Sequence, residues 1–337
     1  MGNQSIRETI IQILSVNMGL KAGERVLFVT DIPRLEDWHG PYETLEEINK
    51  RAMLARQLFD LAKNEFKTCT FEFICFPTTG QHGTEPPNSI GEKMPGYDVI
   101  LLLTTFSLTH TDARVQACTN GARVASMPGF EEAMLLPGGS VLTDNQYIFR
   151  ETSFWAEKLT ACNHVHILTS NGTDLSFSIV GRAGRMDHGL FHHRGDWGNL
   201  PSGEAYISPL EGTANGKIVV PPGWFAGLRE EMILVFENGY VTSVFGGGQV
   251  GDQFRELFQF GSSEFQHRRN CAELGIGTNP NARNAENVLE AEKICNTIHI
   301  AVGDSAHMGG LTVSDVHEDF ILPNPIVYFD DKIVMGS

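Results

Sequence analysis

Three segments in the second half of this 337-residue chain concentrate the side chains that hold metal ions. Asp196 to Gly216 carries Glu204 and Glu211 in a frame punctuated by glycine and proline, which fixes backbone direction. Cys271 to Pro280 sets Glu273 between apolar residues and ends in turn chemistry. Thr297 to Ser305 places His299 inside an apolar run and leads on to Val316-His317-Glu318-Asp319-Phe320-Ile321-Leu322. An imidazole among apolar neighbours is costly unless a partner or a metal satisfies it. His317 and Asp319 are two apart, so a strand turns both to one face and Glu318 to the other. Two histidines with carboxylates suit borderline divalent ions: zinc, cobalt, manganese or iron. Three carboxylates with two histidines exceed what one tetrahedral ion needs. They suffice for two ions about 3.5–4 Å apart sharing a bridging water. Buried polar groups also find hydrogen-bond partners in ordinary cores, so spacing alone leaves a metal centre and a satisfied polar core both open.

Other signals are weaker. Gly246, Gly248 and Gly251 satisfy GxGxxG and precede a helix-like run, Asp252 to Phe260, but the strand before them belongs to a predicted hairpin and Glu264 is too near for a ribose contact. A flexible turn is the better reading, and no organic cofactor site is expected. Gly303-Asp304-Ser305 lacks the glycine two residues after the serine that a nucleophile elbow needs. His164 and His166 alternate on a strand with one face in the core and the other in solvent. Six scattered cysteines with no CxxC pair read as small core residues.

The elements that must position these groups fall in two parts. Up to about residue 150, amphipathic helices (Ser5 to Leu20, Leu45 to Phe66, Asp112 to Asn120) alternate with short apolar strands (Arg25 to Thr30, Thr68 to Phe76, Asp98 to Thr104, Arg123 to Met127). This pattern implies βαβ units and a parallel sheet, without a phosphate loop at any strand-to-helix turn. Beyond residue 160, hairpins are expected at His164 to Val180, Met232 to Phe245 and Ile326 to Met335. The reading is an α/β protein of two domains. Residues 1–155 form an N-terminal, doubly wound, mostly parallel sheet, and residues 156–337 a C-terminal mixed or antiparallel α/β domain that binds metal. A net charge of −16, from 25 basic and 41 acidic residues, with no basic patch argues against nucleic-acid partners. No apolar run reaches the roughly 20 residues of a membrane span. Charge in the first turns argues against a signal peptide, so a cytoplasmic location is expected.

The strings GNLPSGEAYISPLEGTANG, AELGIGTNPNA, IHIAVGDS and HEDF resemble, in order and spacing, the motif series of the aminopeptidase T/aminopeptidase S family of metallopeptidases. The resemblance covers about residues 165 to 335; the first half is similar in pattern only. It implies five metal ligands, Glu211, Glu273, His299, His317 and Asp319, a homodimer, and two zinc, cobalt or manganese ions per chain. It also implies hydrolysis of an amide bond in a small molecule or short peptide by metal-activated water; Glu204, or one of the ligand glutamates, is then the carboxylate expected to move the proton to the leaving amine. The peptidases carry a catalytic tyrosine seven residues after the strand histidine. Ala306 stands there in this chain, and the adjacent His307 is the expected substitute donor. A branch of the same superfamily resembles 2,5-dihydroxypyridine dioxygenase, a mononuclear non-haem Fe(II) enzyme that opens a pyridine ring. That branch keeps the counterparts of His317 and Asp319, has histidine at the position of Glu273 and lacks the strand histidine. The ligand set therefore favours the hydrolase, with the dioxygenase as the alternative; His299, His317 and Asp319 would supply its two histidines and one carboxylate.

Overall fold

The computed structural model describes residues 2–336, apart from the side chains of residues 2–4, 288 and 307. The chain divides into two compact units, Met1–Asn145 with His188–Ser202, and Gln146–Asp187 with Gly203–Ser337. The observed fold is of the expected mixed α/β class, with one parallel sheet and two antiparallel ones.

In the first unit five parallel strands run in the order Thr70–Pro77, Arg25–Ile32, Val99–Leu103, Arg123–Ser126 and Trp197–Asn199. The central strand, Val-Ile-Leu-Leu-Leu, is buried along its whole length, as a strand covered on both faces must be. Helix Tyr42–Glu65 buries Ile48, Arg51, Leu54, Ala55, Leu58, Phe59 and Ala62, the i, i+3, i+4, i+7 stripe of an amphipathic helix. Trp197–Asn199, three residues inside a loop-like sequence, carries the chain back to extend this sheet.

The second unit holds a seven-stranded and a five-stranded sheet. The three hairpins foreseen from the sequence, His164–Leu168 with Asp174–Ser178, Met232–Glu237 with Tyr240–Gly246, and Ile326–Phe329 with Lys332–Met335, all belong to the first of these. The glycine run at Gly246–Gly248 links an antiparallel strand to helix Gly248–Phe258, so it lacks the βαβ setting of a dinucleotide site. The five-stranded sheet has the order His317–Pro323, Thr297–Gly303, Cys271–Gly277, Glu204–Ile207 and Arg185–Asp187, all antiparallel. One apolar core joins the two sheets. Ile167, Leu175, Ile218, Leu234 and Phe236 meet Leu274, Ile276, Ile298, Ile300, Val302, Phe320 and Leu322, the packing of a sandwich. Among the described residues no helix is long and apolar enough to cross a membrane.

Candidate metal centre

Residues directly opposite on neighbouring strands point to the same face of a sheet. With the five-stranded sheet's core face filled by Leu274, Ile276, Ile298, Ile300, Val302, Phe320 and Leu322, the alternate residues form the other face. There, Glu273 pairs with Ala301 and Ala301 with Asp319; Gly275 pairs with His299; Gly303 pairs with His317; Glu204 lies between Gly277 and Asp187. Small residues in the middle rows leave room for the long polar ones. At Gly275 the need is sharpest, because a Cβ there would overlap Cε1 and Nε2 of the His299 ring.

The polar atoms converge. His299 Nε2 lies 3.4 Å from Glu273 Oε1, 3.8 Å from Asp319 Oδ1 and 3.9 Å from Glu204 Oε1. His317 Nε2 lies 3.4 Å from Glu273 Oε2 and 3.7 Å from Asp319 Oδ1. His317 Nδ1 donates to the Asp304 carbonyl oxygen at 2.9 Å; a histidine anchored in this way presents Nε2 to a cation. Three overlapping triplets have donor atoms close enough to share an ion: Glu204, Glu273 and His299; Glu273, His317 and Asp319; and Glu292, His299 and Asp319.

A divalent ion fits this set. His299 is completely buried, and neither of its ring nitrogens, nor Asp319 Oδ1, has a hydrogen-bond partner among the described residues. Such orphans cost roughly 1–3 kcal/mol each when nothing satisfies them. The separations of 3.4–3.8 Å between imidazole nitrogens and carboxylate oxygens match those between ligands sharing one ion at bonds of about 2.1 Å.

The charges point the same way. Asp187, Glu204 and Glu292 surround one buried ammonium, Lys293, which bonds Glu204, lies 2.8 Å from Glu292 Oε1 and 3.5 Å from Asp187 Oδ2. Burial would strip the charge from Lys293, yet the three carboxylates outweigh it and hold the ammonium well above its ordinary range. Burial pushes Glu204 up in spite of Lys293. Burial would also raise Glu273, but the two imidazoles beside it hold it well below the usual carboxylate range. Burial would lower His299; Glu273, Glu204 and Asp319 instead push it up to about 9. Asp319 and Glu273 hold His317 well above its ordinary range against the same burial. Without an ion the site draws protons onto its imidazoles, as an excess of buried negative charge requires.

Four of the five expected ligands, Glu273, His299, His317 and Asp319, come together, and Glu204 adjoins them. Glu211 does not. Its carboxylate pairs with Arg182 and accepts from Leu311 N–H at 2.6 Å, so it falls outside every candidate triplet. Ala306 opens a short turn, Ala306–Met308, where its methyl offers no donor; the side chain of His307 lies outside the described residues. Sequence reasoning missed Asp187, Glu292, Lys293 and the space-making Gly275. For Gly275 the signal was present, a glycine two residues after Glu273 in a buried strand.

Fold and site together define a two-domain α/β enzyme in which one sheet face gathers histidines and carboxylates. A family model, 2,5-dihydroxypyridine 5,6-dioxygenase (NicX), matches residues 75–337. The chain belongs to that family. A 2,5-dihydroxypyridine 5,6-dioxygenase of Pseudomonas putida is 23% identical over 251 residues, covering 70% of this chain and 69% of that one. Among solved structures, 2,5-dihydroxypyridine dioxygenase from Pseudomonas putida KT2440 superposes with a TM-score of 0.71 at 17% identity, over 100% of this chain and 95% of that one. AmpT from Thermus thermophilus superposes at 0.65 and 13% identity, over 100% and 98%. The likeness to AmpT is therefore one of fold. The family overturns the expected hydrolase, metallopeptidase and aminopeptidase function. The physical reason is that histidine and carboxylate ligands are shared by hydrolytic and redox sites, so counting them does not select the reaction.

Proposed function

We propose that the protein is a metal-dependent dioxygenase that opens a hydroxylated nitrogen-heteroaromatic ring, using a single Fe(II) held by His299, His317, Asp319 and Glu273. The observation that carries the reading is the family match across residues 75–337 together with the polar sheet face that this stretch builds. Two histidines with carboxylates suit non-haem iron. Bound Fe(II) would supply the electron transfer between a closed-shell ring and triplet dioxygen, which do not react directly at a useful rate.

The chain's own groups do the rest. Asp304 holds the His317 ring through Nδ1. Gly275 leaves the space that the His299 ring occupies. Glu273 stays anionic between the two imidazoles. Glu204 Oε1 faces His299, and burial raises the carboxylate's affinity for a proton. We assign it to take the proton of a ring hydroxyl, which makes the ring a better electron donor. Both atoms of dioxygen enter the product as one ring bond breaks, so no external reductant is consumed.

The test is an oxygen electrode. Protein reconstituted with Fe(II) under anaerobic conditions and mixed with dihydroxypyridines in aerated buffer should take up one O2 per ring lost from the ultraviolet spectrum. Protein with stoichiometric iron that consumes no oxygen with any hydroxylated heteroaromatic would overturn the reading.

A further inference from the structure

Lys293 is 1% exposed, so solvent does little to offset its charge, and it bonds Glu204 beside the candidate ligands. Its backbone is pinned on both sides. Lys293 N–H donates to Glu290 O at 3.0 Å, and Asn279 N–H donates to Lys293 O at 2.9 Å. The end of strand Cys271–Gly277 lies flat against the next peptide, since a Cβ on Gly277 would overlap Ile294 O. The ammonium has three N–H donors and three carboxylates around it: Asp187, Glu204 and Glu292. Two of these also face the metal ligands. Glu204 gives Oε2 to Lys293 and turns Oε1 towards His299 at 3.9 Å. Glu292 forms a candidate triplet with His299 and Asp319.

We infer that Lys293 is a built-in second cation. Its ammonium occupies the carboxylate pocket beside His299 and reserves the site for one metal ion instead of two. The inference rests on the single-metal reading above and concerns how that number is set. Five carboxylates around one ammonium and one divalent ion keep a deficit of positive charge, which disposes the cluster to bind that ion tightly. Without the ammonium, Asp187, Glu204 and Glu292 become an anionic oxygen cage one imidazole away from the first site, the kind of donor set that takes a second divalent ion. A lysine is suited to this place because it is a compact point charge on a flexible stem. Lys293 is thus a positioning residue, acting through Glu204 and Glu292.

The experiment is metal counting by native mass spectrometry and plasma emission, with Mn2+ as the probe, on wild-type protein, Lys293→Met and Lys293→Gln, each saturated with Mn2+ and desalted. The expected result is one Mn2+ per wild-type chain and two per chain in the variants. The second equivalent should also raise the variants' melting temperature when Mn2+ is increased beyond one equivalent. A merely structural role for Lys293 would lower stability without adding an ion. Folded variants that still hold one ion overturn the inference and leave the single-metal reading intact. A wild-type chain that saturates at two ions overturns it whether or not the variants fold. A wild-type chain that binds none overturns the metal reading itself, and this inference with it.

Discussion

The two faces of the five-stranded sheet are made from the same strands, residue by alternate residue, and have opposite chemistry. One face is Leu274, Ile276, Ile298, Ile300, Val302, Phe320 and Leu322, all fully buried in the shared core. The other is Glu273, Gly275, His299, Ala301, His317 and Asp319. The apolar face holds the strands in register, since a slip of one residue would exchange the faces and bury five or more charges in hydrocarbon. That rigidity keeps the polar face's imidazole nitrogens and carboxylate oxygens 3.4–3.9 Å apart. Stability and chemistry are therefore separable by parity along each strand, and substitutions on the two faces should fail in different ways.

The largest effect should come from the polar face. His317→Ala and Asp319→Ala each remove a donor common to the candidate site, and should weaken metal binding by roughly 100-fold or more, since even loss of an outer-shell partner costs about 10–100-fold. Oxygen uptake should fall in step, while the ion-free protein melts within a few degrees of wild type. Metal titration by calorimetry beside a thermal melt gives both readings. A variant that unfolds would erase the contrast between the faces. Ile300→Ala, one residue from His299, should do the opposite. It deletes a fully buried side chain and should cost about 2–5 kcal/mol, read as a lower denaturant midpoint, with metal stoichiometry unchanged.

The period-two pattern was open to a sequence reader, and with it came the strand assignments, the shared face of His317 and Asp319, and the anomaly of His299. What the sequence hid was everything that reaches the face from elsewhere. Glu292-Lys293 reads as an ordinary solvated pair, and only the turn after Val288–Ala291 and its bond to Asn279 bury it. Asp187 stands on a three-residue strand too short for any periodicity to register. Glu211, which the resemblance implies as a ligand, pairs with Arg182, 29 positions earlier, a contact that makes no local pattern. Trp197–Asn199 was hidden for the same reason as Asp187. The reaction itself lay beyond residue types, because the ligands of a hydrolase and of an oxygenase overlap.

A smaller change sharpens the comparison at the boundary between the faces. Gly275→Ala adds one methyl on the polar face where the His299 ring lies. The ring must move, so metal affinity should drop about 10-fold to 100-fold, as for other losses of ligand orientation, with a stability cost of about 1–3 kcal/mol from overpacking. Calorimetric titration checks the first figure and a urea melt the second; wild-type affinity would mean that the ring's place on the sheet is not what orients it.

The smallest effect tests whether the apolar face is as closed as its residues suggest. A bulge at Cys271–Ala272 sets two residues against Val302 and brings Cys271 into the core. Burial pushes its thiol up from near 9 to about 12. The folded state therefore keeps the proton over a range where the unfolded chain has lost it. With more protons bound when folded, the contribution is fully present below pH 9 and is lost as pH rises towards 12, by at most roughly 1.4 kcal/mol per pH unit. Denaturant melts from pH 8 to 10.5 should show this extra slope in wild type and not in Cys271→Ala, whose own cost is constant with pH. Alkylation at pH 8.5 should label the exposed Cys75 and leave Cys271 untouched until the protein unfolds. Labelling of Cys271 at the rate of Cys75 in folded protein would mean that solvent reaches the core side of the strand, and the division of labour between the faces would fail where it is most easily checked.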